Sequence, residues 1–175
     1  MAELIFLIGY RAVGKTTIGR QLAAQLGYDF VDSDIMICEN KGQTVAEIVA
    51  AEGWAGFRAA EAAVLASLVQ RRRCVVATGG GAILHQALWK ELKQTGVVVW
   101  LRAEQDVICS RIMGDEATAG QRPSLTGGGI CSEVVTVLAE REPLYQKLAD
   151  LTVDSGCMTP QQAMMQIVDF VSQDG

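Results

Sequence analysis

The sequence predicts a three-layer α/β/α fold, a parallel sheet with helices on both faces, and two observations carry that prediction. Short apolar runs of strand type alternate with helical patterns along the whole chain, and a glycine-rich loop joins the first run directly to the first helix. The runs are Leu4 to Ile8, Phe30-Val31, Cys74 to Ala77, Val97 to Leu101 and Leu151 to Val153. Between the first two, Lys15 to Leu26 carries Ile18, Leu22, Ala23 and Leu26 at three- and four-residue spacing, and Gly27 closes it as a C-terminal cap. Thr44-Val45-Ala46-Glu47 is a capping box, so a helix starts there. Thr159-Pro160-Gln161-Gln162 repeats the device with proline at the first helical position.

The length of 175 residues, half of them hydrophobic, suits one domain around one core. A single domain is expected over 1–175, with its core in 1–113 and 130–175 and a mobile lid at about 114–129. The lid expectation rests on Gly114, Gly120, Gly127, Gly128 and Gly129, a proline and few apolar side chains. An idle surface loop would have the same composition. Apolar stretches such as Leu4 to Ile8 end after five residues, far short of the ~20 a bilayer-spanning helix needs. With no signal-like leader after Met1-Ala2-Glu3, the expected address is the cytoplasm. Cys38, Cys74, Cys109, Cys131 and Cys157 are odd in number, 22 or more residues apart and without a C-x-x-C pair, and read as small buried hydrophobes. A formal charge of −5 and a pI near 4.9 argue against a nucleic-acid partner. The one basic run, Arg71-Arg72-Arg73, falls at the end of a helical pattern and reads as a solvated terminus.

Gly9-Tyr10-Arg11-Ala12-Val13-Gly14-Lys15-Thr16 fits G-x-x-x-x-G-K-[ST], the phosphate loop. In that pattern backbone N–H groups surround phosphate oxygens, the lysine reaches the β- and γ-phosphates, and the threonine hydroxyl ligates magnesium. A strand run before the loop and a helix after it are what the mechanism requires. A tight turn with an exposed lysine would leave the spacing of Gly9, Gly14, Lys15 and Thr16 to coincidence. The chain therefore reads as a P-loop protein that binds ATP with Mg2+.

Asp32 and Asp34 follow the second run, where the ligand crevice of an α/β sheet lies. Phosphoryl transfer needs one acidic group near the metal and one near the acceptor hydroxyl; Asp32 is assigned the first task and Asp34 the second. A helix N-cap is the other use for Asp32 or Ser33. Arg58 and Glu61 lie three apart in a helical stretch, so they can pair and hold the guanidinium ready for a carboxylate, or form an ordinary exposed ion pair. Thr78-Gly79-Gly80-Gly81 follows the third run and predicts close approach of a ligand to the backbone. Arg122 in the lid can swing over the nucleotide or stand in solvent; Arg141 lies in a later helix and is open to the same two readings. His85, the only histidine, lacks ligand-spaced partners and reads as a surface or helix-start residue.

The phosphate loop, Val31-Asp32-Ser33-Asp34, Trp54-Ala55-Gly56-Phe57-Arg58-Ala59-Ala60-Glu61, Ala77-Thr78-Gly79-Gly80-Gly81, Arg122-Pro123-Ser124-Leu125 and Glu140-Arg141-Glu142-Pro143-Leu144-Tyr145 together resemble the shikimate kinases. The lid sequence ending Thr126-Gly127 is most similar to the bacterial type II isoenzyme. The resemblance implies a P-loop kinase fold of nucleoside-monophosphate-kinase type with a five-stranded parallel sheet and a lid. It implies a monomer that transfers the γ-phosphate of ATP to the 3-hydroxyl of shikimate, in chorismate and aromatic amino-acid synthesis.

The resemblance further implies that Asp34, Arg58, Gly80 and Arg141 hold shikimate, with Glu61, Gly79 and Gly81 beside them. Lys15 and Arg122 would stabilise the transferring phosphate, Thr16 and Asp32 would serve Mg2+, and Arg111 would lie along the adenine. Gly9, Ala12, Val13, Gly14 and Thr17 complete the nucleotide set, and Asp154 to Pro160 matches the adenine loop. Ala12 departs from the family, where most members carry glycine; a left-handed backbone there would cost alanine on the order of 1 kcal/mol. Two rival functions share the phosphate loop: another small-molecule kinase, for gluconate or a nucleoside monophosphate, and a catalytically silent nucleotide-binding regulator.

Overall fold

The computed structural model describes residues 2–114 and 129–173. Strands β1 (Leu4–Ile8), β2 (Asp29–Asp32), β3 (Cys74–Ala77), β4 (Val97–Arg102) and β5 (Leu151–Asp154) form one sheet in the order β2-β3-β1-β4-β5. Every neighbouring pair is parallel, with Leu4 opposite Cys74 and Ile5 opposite Val97 setting the register of the central strand. The runs expected from sequence are these five strands, β2 longer by one residue at each end and β4 and β5 by one at the C-terminal end.

No residue of β1 is more than 1% exposed. Leu4, Phe6 and Ile8 pack with Leu65, Leu68 and Trp89 on one face, while Ile5 and Leu7 pack with Ile18, Leu22 and Ile167 on the other. An apolar residue at every position, with no alternation, is what a strand covered on both faces requires. The helices that supply the cover are α1 (Lys15–Leu26), α2 (Ser33–Lys41), α3 (Val45–Leu68), α4 (Gln86–Leu92), α5 (Gln105–Gly114), α6 (Ile130–Leu148) and α7 (Pro160–Gln173), with a 3₁₀ turn at Ala82–Leu84. This is the three-layer P-loop kinase architecture.

Both capping boxes form. The Thr44 hydroxyl accepts from the Glu47 N–H at 3.3 Å while Glu47 accepts from the Thr44 N–H at 2.7 Å. Thr159 and Gln162 exchange the same bonds at 2.9 and 3.2 Å. One feature of α3 was not anticipated: Gly53 sits at φ 69°, ψ 178° and breaks the helical path. Only glycine enters that backbone region without strain. The second half of α3 then starts at Trp54, and Trp54, Phe57, Arg58 and Glu61 all face one pocket.

The cysteine expectation is corrected in part. Cys74 and Cys109 are buried, but Cys38 is only half-buried, and Cys131 and Cys157 are exposed, because they occupy the first turn of α6 and the loop after β5. Of the lid expected at about 114–129, only Gly114, the last residue of α5, and Gly129, the N-cap of α6, are described. Arg122 lies outside the described residues. Among the described residues no helix is long and apolar enough to cross a membrane.

Candidate active site

The phosphate loop connects β1 to α1, and its shape follows from its glycines. Gly9 has φ 138°, and a Cβ there would run into the Leu101 carbonyl of β4. Gly14 is the N-cap of α1 at φ 90°, so the first amides of that helix open toward the loop. Lys15 Nζ donates to the carbonyls of Gly9 at 2.9 Å and Tyr10 at 2.6 Å, which folds the ammonium over the loop. Val13 is buried, and Thr16 and Thr17 face solvent at the helix start.

Ala12 does adopt the left-handed region, at φ 62°. Relief of that strain gains about 1–2 kcal/mol, and the freer unfolded chain of a glycine variant gives back about 0.4–1 kcal/mol. Ala12→Gly is therefore expected to raise the urea midpoint, for a net gain of up to about 1.6 kcal/mol. A midpoint lower than the parent's would contradict the strain.

Two side chains distant in sequence hold the loop's far side. Arg111 in α5 donates to the Ala12 carbonyl at 3.1 Å and to the Ser155 carbonyl at 2.8 Å. The buried Ser155 hydroxyl lies 2.7 Å from the Val13 carbonyl. Arg111 thus bridges the phosphate loop and the loop after β5. Ser155 carried no signal in sequence beyond lying in that loop.

At the end of β2, Asp32 uses both carboxylate oxygens. Its Oδ1 caps α2 by accepting from the Asp34 N–H at 3.1 Å, and its Oδ2 accepts from the Thr16 hydroxyl at 2.9 Å. A hydroxyl and a carboxylate held together at the exposed edge of a phosphate loop suit Mg2+, a hard cation that keeps several waters and takes few protein ligands. Ser33, between the two aspartates, is fully buried and accepts from the Gly79 N–H at 2.9 Å. It ties the glycine turn after β3 to the start of α2.

That turn is the floor of a pocket walled by α2, α3 and α6. A Cβ on Gly79 would stand 2.5 Å from Asp34 Oδ1 and 2.9 Å from Glu61 Oε1, so two carboxylates converge where the side chain is missing. A Cβ on Gly81 would fall on the Arg58 guanidinium. Arg58 Nη1 donates to Glu61 Oε2 at 2.6 Å, and Glu61 is completely buried, which selects the paired guanidinium over an ordinary exposed ion pair. The rings of Trp54 and Phe57 lie 5.6 and 5.5 Å from that guanidinium, close enough for cation–π attraction to add to its restraint. Arg141, 7% exposed, comes from α6 to the same pocket. His85, at the N-cap of α4 as a helix-start residue, also reaches Glu61 Oε2, at 2.9 Å.

Tyr10 and Arg11 of the phosphate loop line the pocket as well, and Arg11 pairs with the buried Glu133 of α6 at 2.9 Å. Tyr145, two turns after Val137 in α6, donates to the Gly80 carbonyl at 2.6 Å and pins the middle glycine. Burial pushes its hydroxyl far above the ordinary tyrosine range, against the opposing pull of Arg141. Tyr145→Phe is expected to lower stability by about 1 kcal/mol at pH 7. A raised pKa means the folded state keeps the proton the unfolded state releases, so this contribution is intact below about pH 10 and fades above it. Urea unfolding of parent and variant at pH 7 and pH 10.5 measures both; a gap that widens with pH contradicts the assignment.

The loop that cradles phosphate, the exposed Thr16 and Asp32 at its edge, and a separate pocket with paired carboxylates and clamped arginines next to it define a P-loop kinase acting on a small acceptor. The shikimate kinase family model matches residues 11–172, and the chain belongs to that family. Shikimate kinase 2 of Yersinia enterocolitica is 44% identical over 99% of this chain and 98% of its own length. Shikimate kinase 2 of Pectobacterium atrosepticum is 41% identical over 96% of this chain and 95% of its own. Among solved structures, shikimate kinase from Acinetobacter baumannii in complex with shikimate superposes with a TM-score of 0.91 at 34% identity, covering 99% of this chain and 95% of that one. The expected likeness to the type II isoenzyme agrees with the names of these relatives.

Proposed function

We propose that this chain transfers the γ-phosphoryl group of ATP to the 3-hydroxyl of shikimate, giving shikimate 3-phosphate for chorismate and aromatic amino-acid synthesis. The observation that carries the proposal is the pocket over Gly79 to Gly81: a guanidinium locked to a buried glutamate, a second buried arginine, and the Asp34 carboxylate set against Gly79 beside the phosphate loop. A compact polyol with one carboxylate matches that set. A nucleotide base would want an aromatic or amide-lined slot.

In this reading Arg58 and Arg141 grip the substrate carboxylate, since a guanidinium presents two parallel N–H groups to two oxygens. Asp34 accepts the hydrogen of the attacking hydroxyl, and the Gly79–Gly81 backbone with Glu61 borders the ring. Lys15 moves from the Gly9 and Tyr10 carbonyls to the phosphate oxygens, which offer it full negative charge in place of partial charge. Arg122 meets charge developing on the transferred group. Thr16 and Asp32 would hold Mg2+, which when bound neutralises charge on the phosphate oxygens. Arg111 lies along the adenine, while the loop amides and the first turn of α1, with Thr17, seat the phosphates. The enzyme works in the cytoplasm, as a monomer with a single domain.

The test is ADP release by the purified chain with ATP, magnesium and shikimate, run beside gluconate and nucleoside monophosphates. Turnover with shikimate alone is the expected result. Turnover with another acceptor would overturn the acceptor assignment and keep the kinase; binding of both ligands without ADP release would make the chain a silent regulator.

A further inference from the structure

We infer that His85 is a positioning residue of the acceptor pocket, holding the Glu61 carboxylate so that the Arg58 guanidinium is presented in a single orientation. The inference rests on the reading of that pocket as the acceptor site. The Glu61 side chain is 1% exposed and both contacts described for it fall on one oxygen, Oε2: Arg58 Nη1 at 2.6 Å and His85 Nε2 at 2.9 Å. The other oxygen, Oε1, is buried without a hydrogen-bond partner among the described residues and faces Gly79. Arg58 and Glu61 belong to the same helix, three residues apart, so their mutual bond ties the pair only to α3. His85 comes from the turn that follows the glycines, a different element, and so fixes the pair to the pocket floor.

The chemistry of the contact is determined by its partner. A carboxylate oxygen that already accepts from a guanidinium has no hydrogen to give, so Nε2 carries the proton and donates. The His85 side chain makes no capping bond to α4, and its only described polar contact is the one to Glu61. Its imidazole is 16% exposed, screened enough for the bond to persist. A buried carboxylate is held in one rotamer only when its bonds come from more than one direction, and leaving such a group short of donors is costly. The prediction is therefore specific to the acceptor: removing the donor loosens Arg58 and leaves nucleotide binding alone.

His85 is the only histidine in the chain, which makes the contact directly observable in tag-free protein labelled with 15N-histidine. The expected spectrum is a single imidazole with a proton on Nε2; a ring protonated at Nδ1 alone, or averaging between tautomers, would overturn the contact. His85→Ala is expected to raise the KM for shikimate about tenfold, the usual effect of losing one charge-assisted bond, with the KM for ATP unchanged. His85→Gln, whose amide nitrogen replaces Nε2, is expected to recover most of that loss. Equal effects of the two variants, or an unchanged KM for shikimate in the alanine variant, would remove the role. Were the parent to use another acceptor, the functional reading would fail while the tautomer still decided the contact, and the KM comparison would be made with that acceptor.

Discussion

Asp34→Asn is expected to lower kcat with shikimate by about 10²–10⁴-fold while the KM for ATP stays within about twofold. The substitution preserves shape and removes only the negative charge and the capacity to take a proton. Asp34 sits in the first turn of α2, aimed over Gly79, and the neighbouring Asp32 keeps the cap on the helix and the bond to Thr16. In the proposed reaction the two aspartates serve different sites, one the acceptor and one the metal edge of the phosphate loop. Steady-state kinetics with each substrate varied in turn separates them. A loss of ATP affinity as large as the loss in kcat would place Asp34 on the nucleotide side and refute its role.

Gly81→Ala is expected to raise the KM for shikimate by about 30- to 100-fold, because one methyl group occupies the place of the Arg58 guanidinium. The guanidinium has no simple retreat: Glu61 holds Nη1, and Trp54 and Phe57 stand on its other sides. Moving it breaks the pairing that compensates a buried carboxylate. Arg58→Ala is the comparator, since it removes the same group without adding bulk, and the two variants should resemble each other in KM. A Gly81→Ala enzyme with the parent's KM would mean that Arg58 is not positioned for the substrate carboxylate.

Much of this fold is legible without coordinates because its signals are local. The five strand runs, the capping boxes at Thr44 and Thr159, the Gly27 cap and the G-x-x-x-x-G-K-T loop each lie within a few residues, and periodicity or spacing reports them directly. The Arg58–Glu61 pair is legible for the same reason, being three residues apart on one helix. The break at Gly53 was not, because a glycine inside a helical pattern is usually tolerated without one. The exposed Cys131 and Cys157 were misjudged because cysteine spacing says nothing about which face of a helix or loop a thiol occupies.

The chain by itself thus determined which elements form and that a phosphate loop opens the first helix, since hydrogen bonding to near neighbours and burial on two sides of a strand are written into adjacent residues. It also placed Asp34 and the Gly79 to Gly81 run at one end of the sheet, through the rule that loops after parallel strands gather there, and they do line one pocket. Only the tertiary structure decided what those residues touch. Ser33 meets Gly79 across 46 positions, Glu61 meets His85 across 24, Tyr145 meets Gly80 across 65 and Ser155 meets Val13 across 142. Such pairings depend on strand order and register, which bring distant segments within about 3 Å, and no periodicity in a single segment encodes which partner that will be. The burial of Glu61 is the clearest instance: a glutamate whose sequence leaves open a clamped or an exposed ion pair is enclosed because the turn after β3 carries three glycines beneath it.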